Sequence, residues 1–466
     1  MEIKSFFWAW DSGRWAETRF VSMVIMFYVA LFLLISPLFP GVSWFQLGDF
    51  TLPVVNYYHV VMIPFALLMV VLALQLFDAP LRIRKLVNLS VYPVIIFSIL
   101  GLFLFYPSWG TTADEAFQAI RDIIVFLDAL LTIVALLIFP FRNSGKFRKI
   151  WGAYFLVLIA GISAEMAATF GMLLEYGSLF GFNSVGFFNN YVNSLGGLQT
   201  FLGNLLTSHS HQMLPAIMGM IVGASALIFG YEKFPSTLRN VINIGTVVAI
   251  FGTLSMTYLY WISSFGTYVI PAVFVSGAGG MNGLALDDTQ TGIVGIGAMI
   301  VLAGIYLGIR KEKGSKLLSY ATLGSWLGAM FGMVGVGYII ELNEVYYGFG
   351  TSGVPPDGGP GYLYDMAFTN GHLLFVFFLL TLIAGIFIAL KWFDGDSRFK
   401  PYIGGLAIAG IVIGSEGLLV YTMLLSWILE AIGLWLLTIS VVLVPVSMYE
   451  YNIHASKAEA GREQSA

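Results

Sequence analysis

The 466-residue sequence has no cysteine and few charged residues. The absence of cysteine excludes disulfides, thiolate metal sites, cysteine-ligated iron–sulfur clusters and covalent c-type haem attachment. Charged residues make up only 10% of the chain, whereas soluble domains carry about 25%. No P-loop or dinucleotide-binding motif occurs between a strand and a helix. A large soluble domain, a nucleotide site and a nucleic-acid partner are therefore not expected.

Long apolar runs are abundant, because 58% of the residues are hydrophobic. Each run has roughly 18 to 25 residues, enough to cross about 30 Å of hydrocarbon. The pattern predicts an all-α polytopic membrane protein, a bundle of twelve transmembrane helices in the lipid bilayer. The predicted spans centre near 20–38, 54–77, 90–106, 121–140, 151–175, 209–230, 240–264, 291–309, 318–340, 370–391, 402–425 and 429–448.

The basic residues lie almost entirely on one side of this predicted bundle. Of the 22 Lys and Arg residues, all except Arg121 fall at the N terminus, in every second loop or in the C-terminal tail. Basic loops remain in the cytoplasm. The sequence therefore predicts a multi-pass protein of the cell (plasma) membrane with both termini cytoplasmic. Residues 1–466 would form a single transmembrane domain, in which 451–466 is a short cytoplasmic tail.

The loops on the opposite side are long and poor in Lys and Arg. They cover residues 176–206, 267–291 and 341–368. Long loops in a compact protein are usually functional, so an extracytoplasmic partner is expected to dock there. The alternative is that they are packed caps over the helix bundle.

Four histidines lie near the outer beginnings of the second, sixth and tenth apolar runs: His59, His209, His211 and His372. They are separated by 152 residues (59 to 211) and 161 residues (211 to 372), the length of four spans with loops. This spacing predicts three pseudo-repeats, about 15–150, 151–310 and 311–450. Ionisable residues inside a membrane are costly and mark functional sites. The fifth histidine, His454, lies in the polar tail and is expected to be solvated.

The His-x-His pair predicts two separate cofactors. Residues i and i+2 of a helix are about 200° apart around its axis, so His209 and His211 cannot easily bind one ion. With His59 and His372 they supply four ligands, the number needed for two bis-histidine, low-spin b-type haems. Hydrogen bonding between helices, or a transporter's proton relay, is the alternative explanation for such histidines.

Twelve spans in three pseudo-repeats, with histidines on the second, sixth and tenth helices and a Ser208-His-Ser-His-Gln segment, resemble subunit I of the haem–copper oxidases. The nitric oxide reductases are relatives of that family. The chain is also similar to the hydrophobic subunits that accompany archaeal b-type cytochromes. The resemblance implies the axial pairs His59–His209 and His211–His372.

The sequence departs from that family at the residues that would hold copper. The family has its His-x-His on the tenth helix, whereas here it is on the sixth. The copper site also needs histidines on the sixth and seventh helices, and the seventh apolar run, 241–264, has none. No copper is therefore expected, and neither is reduction of oxygen or nitric oxide.

Acidic residues within apolar runs are candidates for proton handling, because a buried carboxylate is protonated, paired or part of a proton path. Glu165 and Glu416 lie near the middle of their runs, and Asp128 and Glu430 also lie within apolar sequence. The alternative is that each carboxyl group hydrogen-bonds two helices together.

These patterns predict a membrane-embedded dihaem cytochrome b, an electron-transfer subunit of a respiratory oxidoreductase complex. It would transfer electrons between membrane quinone or quinol and an extracytoplasmic redox subunit such as a cytochrome. The alternatives are a twelve-helix secondary transporter and a cofactor-free membrane anchor. A transporter predicts discontinuous helices and sites near the bilayer midplane.

Overall fold

The structure is a computed structural model that describes residues 14–35, 52–101, 112–176, 198–265, 281–310, 398–419 and 423–463. Within these residues the chain forms ten α-helices and no strand. The chain divides into two compact units. The first unit contains residues 1–117 and 309–466, and the second contains residues 118–308.

The helices are numbered in chain order. They are α1 (Thr18–Ile35), α2 (Leu52–Leu76), α3 (Leu81–Ile99), α4 (Thr112–Arg142), α5 (Ser144–Tyr176), α6 (Leu198–Ile228), α7 (Ser236–Phe265), α8 (Met281–Ile309), α9 (Lys400–Leu419) and α10 (Met423–Glu463). Two short 3-10 turns, Arg14–Ala16 and Tyr231–Lys233, precede α1 and α7.

The prediction of an all-helical membrane protein is confirmed. Seven of the described helices contain a segment long and apolar enough to cross a membrane. Two further helices, α6 and α9, contain the shorter apolar segments Pro215–Ile228 and Pro401–Gly414. Ten of the twelve predicted spans coincide with described helices, while 318–340 and 370–391 lie outside the described residues.

Several helices begin well before the apolar runs that predicted them. Helix α4 begins at Thr112 rather than 121, and α6 begins at Leu198 rather than 209. An apolar run marks the hydrocarbon crossing, but a helix satisfies its own backbone groups and continues past it. His59 is consequently the eighth residue of α2, and His209 is the twelfth residue of α6. Both histidines lie two to three turns inside their helices.

The first unit is built from α1–α3 together with the α9–α10 pair. The Tyr28 hydroxyl on α1 donates a hydrogen bond to the backbone carbonyl of Val60 on α2 at 3.0 Å. Helix α10 contacts both α9 and α1. The α9–α10 approach is close enough that a Cβ on Gly433 would lie 2.6 Å from the Cα of Gly414. Small residues allow this backbone proximity between membrane helices.

The second unit is centred on the antiparallel pair α5 and α6, with α7 packed against both. Along α6, Gly219 faces Ala160 and Gly223 faces Val157 of α5. The contacts advance from 219 to 223 on α6 while they go back from 160 to 157 on α5, so the two helices are antiparallel. Because both α6 positions are glycines four residues apart, the two backbones approach closely along one face.

The turn between α6 and α7 is fastened by a buried tyrosine. Gly230 has φ +66°, a left-handed conformation that favours glycine. Tyr231 follows it with no exposed surface, and its hydroxyl donates to Oδ1 of Asn243 at 3.4 Å. Burial of the phenol raises the pKa of Tyr231. The turn is therefore held against the end of the bundle by an uncharged, enclosed side chain.

Helix α10 is the longest of the described helices, with 41 residues. Its membrane-crossing segment is Ala431–Glu450, and the backbone remains helical to Glu463. Most of the segment predicted as a short tail, 451–466, therefore continues the last helix.

Candidate functional site

The best-defined candidate residue is His209, whose imidazole packs on α5 within the second unit. Its Nδ1 is 2.8 Å from the backbone carbonyl oxygen of Ala167. A carbonyl oxygen only accepts hydrogen bonds, so Nδ1 carries a proton in this contact, and an apolar bundle favours the neutral form of the ring. The lone pair is then on Nε2. Metal-bound histidines are commonly oriented in this way, by donating the second ring N–H to a backbone carbonyl.

The ring of His209 packs on α5 at a residue that has no side chain, Gly171. A Cβ built on Gly171 would lie 2.6 Å from Nδ1 and 2.7 Å from Cε1 of His209. Ordinary van der Waals contact of a Cβ begins at 3.4 Å. The imidazole therefore occupies the space that a side chain at position 171 would need.

One turn along α6, Gln212 begins a directional chain of hydrogen bonds across three helices. Its Nε2 donates to the carbonyl oxygen of Ser163 at 3.2 Å and to the Ser163 hydroxyl at 3.1 Å. The Ser163 and Thr257 hydroxyls are 2.5 Å apart, and Thr257 donates its single proton to the carbonyl of Thr253 at 2.8 Å. Ser163 must therefore donate to Thr257. The chain fixes α6, α5 and α7 at one level.

Two buried acceptors near this level have no hydrogen-bond partner among the described residues. They are Oε1 of Gln212 and Oε1 of Glu165. Because the Ser163 carbonyl can only accept, the amide orientation of Gln212 is determined, and Oε1 is the atom left over. Glu165 lies within the crossing segment Ser144–Leu173. A buried acceptor without a donor is costly, so both positions are candidates for binding a donor.

Arg121 is the one basic residue that falls outside the N terminus, the basic loops and the C-terminal tail. It is buried. It is 1% exposed on α4, and its Nε is 2.8 Å from Oδ1 of Asp122. Asp122 in turn lies close enough to His209 for an electrostatic interaction. Arg121 therefore does not contradict the one-sided pattern of basic loops, because a buried, paired guanidinium does not act as a loop charge.

The other predicted site residues are placed as follows. His59 is part-buried on α2 of the first unit. His211 shares α6 with His209, and Asp128 is buried on α4. Glu416 and Glu430 lie in α9 and α10, but their side chains are outside the described part of the structure, as is the whole segment containing His372.

Among the described side chains, no three His, Cys, Asp or Glu residues group together as a polydentate metal site requires. A haem iron takes one axial imidazole on each face, so its ligands need not group in this way. The imidazole of His209, with a carbonyl behind it, is a donor that suits iron, and its Nε2 would hold such a group.

Comparison with known proteins gives no assignment. No family model, no curated protein and no solved structure matches the chain.

The sequence pattern did not single out Gln212, Ser163, Thr257 or Gly171. Gln212 could have been noticed, because it is three residues after His209 and shares its face of the helix. Ser163 and Thr257 carry no such signal, since isolated hydroxyl residues are common in membrane helices. Gly171 is one of 52 glycines, and only its packing distinguishes it.

Proposed function

We propose that the chain is a membrane-embedded dihaem cytochrome b subunit of a respiratory complex. It would carry electrons between membrane quinone or quinol and an extracytoplasmic redox partner, without an oxygen-reducing copper site. The proposed subunit has twelve spans in a plasma membrane, with both termini cytoplasmic. Its proposed axial ligands are His59, His209, His211 and His372.

The observation that carries this proposal is the contact between Nδ1 of His209 and the Ala167 carbonyl. The contact places the ring proton on the nitrogen that faces α5, so the nitrogen with the lone pair is Nε2. It also makes the imidazole a stronger electron donor, because its N–H is partly polarised toward the carbonyl. A neutral, oriented imidazole in an apolar bundle is what low-spin haem ligation needs.

A bound haem would supply reversible one-electron transfer, and the residues of the chain determine where this occurs. His209 holds its ring against α5 by a hydrogen bond and by close packing on Gly171. The enclosed chain from Gln212 to Ser163 and Thr257 fixes the helix that carries the ring. Such second-layer contacts determine ligand orientation and therefore affinity.

The direct test is the visible spectrum and the haem content of the purified protein. We expect about two low-spin b-type haems per chain, with sharp bands appearing on reduction. His209→Ala should remove one of the two haems and leave the other. His454→Ala is the matched control, because His454 follows the last membrane-crossing segment. A colourless, folded wild-type protein would disprove the proposal.

Glu165 supports a second candidate function, a proton-coupled secondary transporter. Its Oε1 is buried inside a membrane-crossing segment without a partner in the described residues. Intramembrane acids of this kind often relay protons. This candidate predicts that a haem-free preparation moves protons across liposomes together with a substrate. Glu165→Gln should abolish that coupled movement, while its absence from the wild-type protein would exclude the candidate.

A further inference from the structure

The ring of His209 is received by one face of α5. Ser163, Ala167 and Gly171 are spaced four residues apart and so lie in a row along that face. Ala167 offers its carbonyl to the ring, Gly171 contacts the ring directly, and Ser163 binds Gln212 on the next turn of α6.

Gly171 makes the Ala167 carbonyl accessible. In a helix the carbonyl of residue i bonds the backbone N–H of residue i+4, and the side chains at i and i+4 lie one above the other. A second donor can reach that carbonyl from the side when residue i+4 has no side chain. Residue 171 is four residues after Ala167 and is a glycine. The imidazole takes the position that this leaves open.

The ring has little freedom to move away from an added side chain. Gln212 holds α6 to Ser163 through two hydrogen bonds, at 3.2 and 3.1 Å. Further along α6, Gly219 and Gly223 are already packed against α5, with a Cβ on Gly223 reaching 2.6 Å from Cγ2 of Val157. Rotating or withdrawing α6 would break this packing. A methyl group at position 171 therefore displaces the imidazole itself.

We propose that Gly171 is the positioning residue for His209: its missing side chain provides the space for the imidazole, and thereby allows Nδ1 to reach the Ala167 carbonyl. The consequence for haem binding rests on the proposed function. The positioning of the ring does not, because it is a property of the contact between α5 and α6.

The first experiment is a double-mutant cycle on the thermal stability of the full-length, detergent-solubilised protein. Its members are wild type, Gly171→Ala, His209→Ala and the double variant, with Gly161→Ala as the control. Gly161 is on the same helix, and among the described residues a Cβ there would meet only the Met220 sulfur, at 3.9 Å. Replacing a helical glycine by alanine is otherwise favourable.

We expect Gly171→Ala to lower the melting temperature and Gly161→Ala to leave it unchanged or raise it. In the His209→Ala background, Gly171→Ala should no longer be destabilising, because the ring that it displaces is absent. If Gly171→Ala does not fold, recovery of folding in the double variant supports the proposal. Equal destabilisation in both backgrounds, or failure of the double variant to fold alongside a folded His209→Ala protein, overturns it.

The second experiment measures haem retention and spin state. Gly171→Ala should weaken retention of one of the two haems by about 10–100-fold, as loss of an outer hydrogen-bond partner typically does. Haem that is still bound at this weakened site should lose its low-spin signature, and the other haem should keep it. Gly161→Ala should keep both haems low-spin. A Gly171→Ala protein with the wild-type spectrum and haem content overturns the positioning role. A colourless wild-type protein rejects the proposed function instead, and the stability cycle still decides the role of Gly171.

Discussion

Gly297 on α8 gives the sharpest prediction of packing, because its neighbours are backbone atoms. A Cβ at this position would lie 2.6 Å from the carbonyl oxygen of Gly245 and 2.8 Å from the Cα of Ala249, both on α7. Backbone atoms of a helix cannot rotate out of the way as a side chain can. Gly297→Ala therefore requires α7 and α8 to separate by several tenths of an ångström along their contact.

The magnitude follows from two opposing effects. Overpacking costs about 1–3 kcal/mol, while replacing a helical glycine by alanine gains roughly 0.5–1 kcal/mol. The overpacking effect is larger, so Gly297→Ala should destabilise the protein by roughly 1–2 kcal/mol. Gly292→Ala on the same helix is the control, because a Cβ there has no neighbour within 4 Å among the described residues. It should be neutral or stabilising by up to about 1 kcal/mol.

Unfolding of both variants in mixed detergent and SDS micelles, followed by tryptophan fluorescence, measures this difference directly. The two substitutions are chemically identical and lie on one helix, yet Gly297→Ala should destabilise the protein and Gly292→Ala should not. Equal stability of Gly297→Ala and Gly292→Ala would show that the α7–α8 contact does not exclude a methyl group.

Three further predictions concern buried polar groups and the cofactor. Gln212→Met removes hydrogen bonds that average about 0.6 kcal/mol each in membranes. It also removes a buried acceptor that has no partner among the described residues, and such an acceptor costs about 1–3 kcal/mol. It should be at least as stable as wild type in the same micelle assay, and a clear loss of stability would show that a donor occupies Oε1. Tyr231→Phe should be less stable at neutral pH, because it loses the bond to Asn243. Burial raises the pKa of Tyr231 in the folded protein. As the pH rises above about 10, the tyrosine therefore loses its proton in the unfolded chain first. This favours the unfolded state and lowers the stability of the wild type. Thermal melts from pH 8 to 11 should therefore show the gap between the two proteins narrowing, whereas a constant gap would contradict the burial. Protein produced under haem limitation should melt at a lower temperature and recover when haem is added, and an unchanged melting temperature would indicate that no haem binds.

The membrane class could be predicted from composition, because a chain with so few charges must place its apolar helices in lipid. The ends of the helices could not. Hydropathy reports where α6 enters the hydrocarbon, but residues 198–208 contain Thr, Asn and Ser, which are compatible with both a helix and a loop. The helix therefore begins earlier than the apolar run, and His209 lies inside it.

The chemistry of His209 was only partly predictable. Its residue type and its place in an apolar segment indicated a functional histidine, but its hydrogen bond depends on Ala167, which is 42 positions away in the chain. Contacts between α5 and α6 depend on which glycine faces which side chain. A sequence with 52 glycines does not reveal that choice. The prediction that the histidines bind haem stays a prediction.

The length of α10 has a consequence for the dynamics of the chain. Its membrane-crossing segment ends at Glu450, yet the helix continues to Glu463, a further rise of about 20 Å at 1.5 Å per residue. An isolated helix of this length is marginal in water, whereas lipid protects backbone hydrogen bonds from exchange. One continuous helix would thus contain two kinetic regimes, with amide exchange slow up to Glu450 and fast beyond it. A spectroscopic label at Ala431 would report the bilayer, and comparison with a label near Glu463 would measure how the environment changes along the one helix.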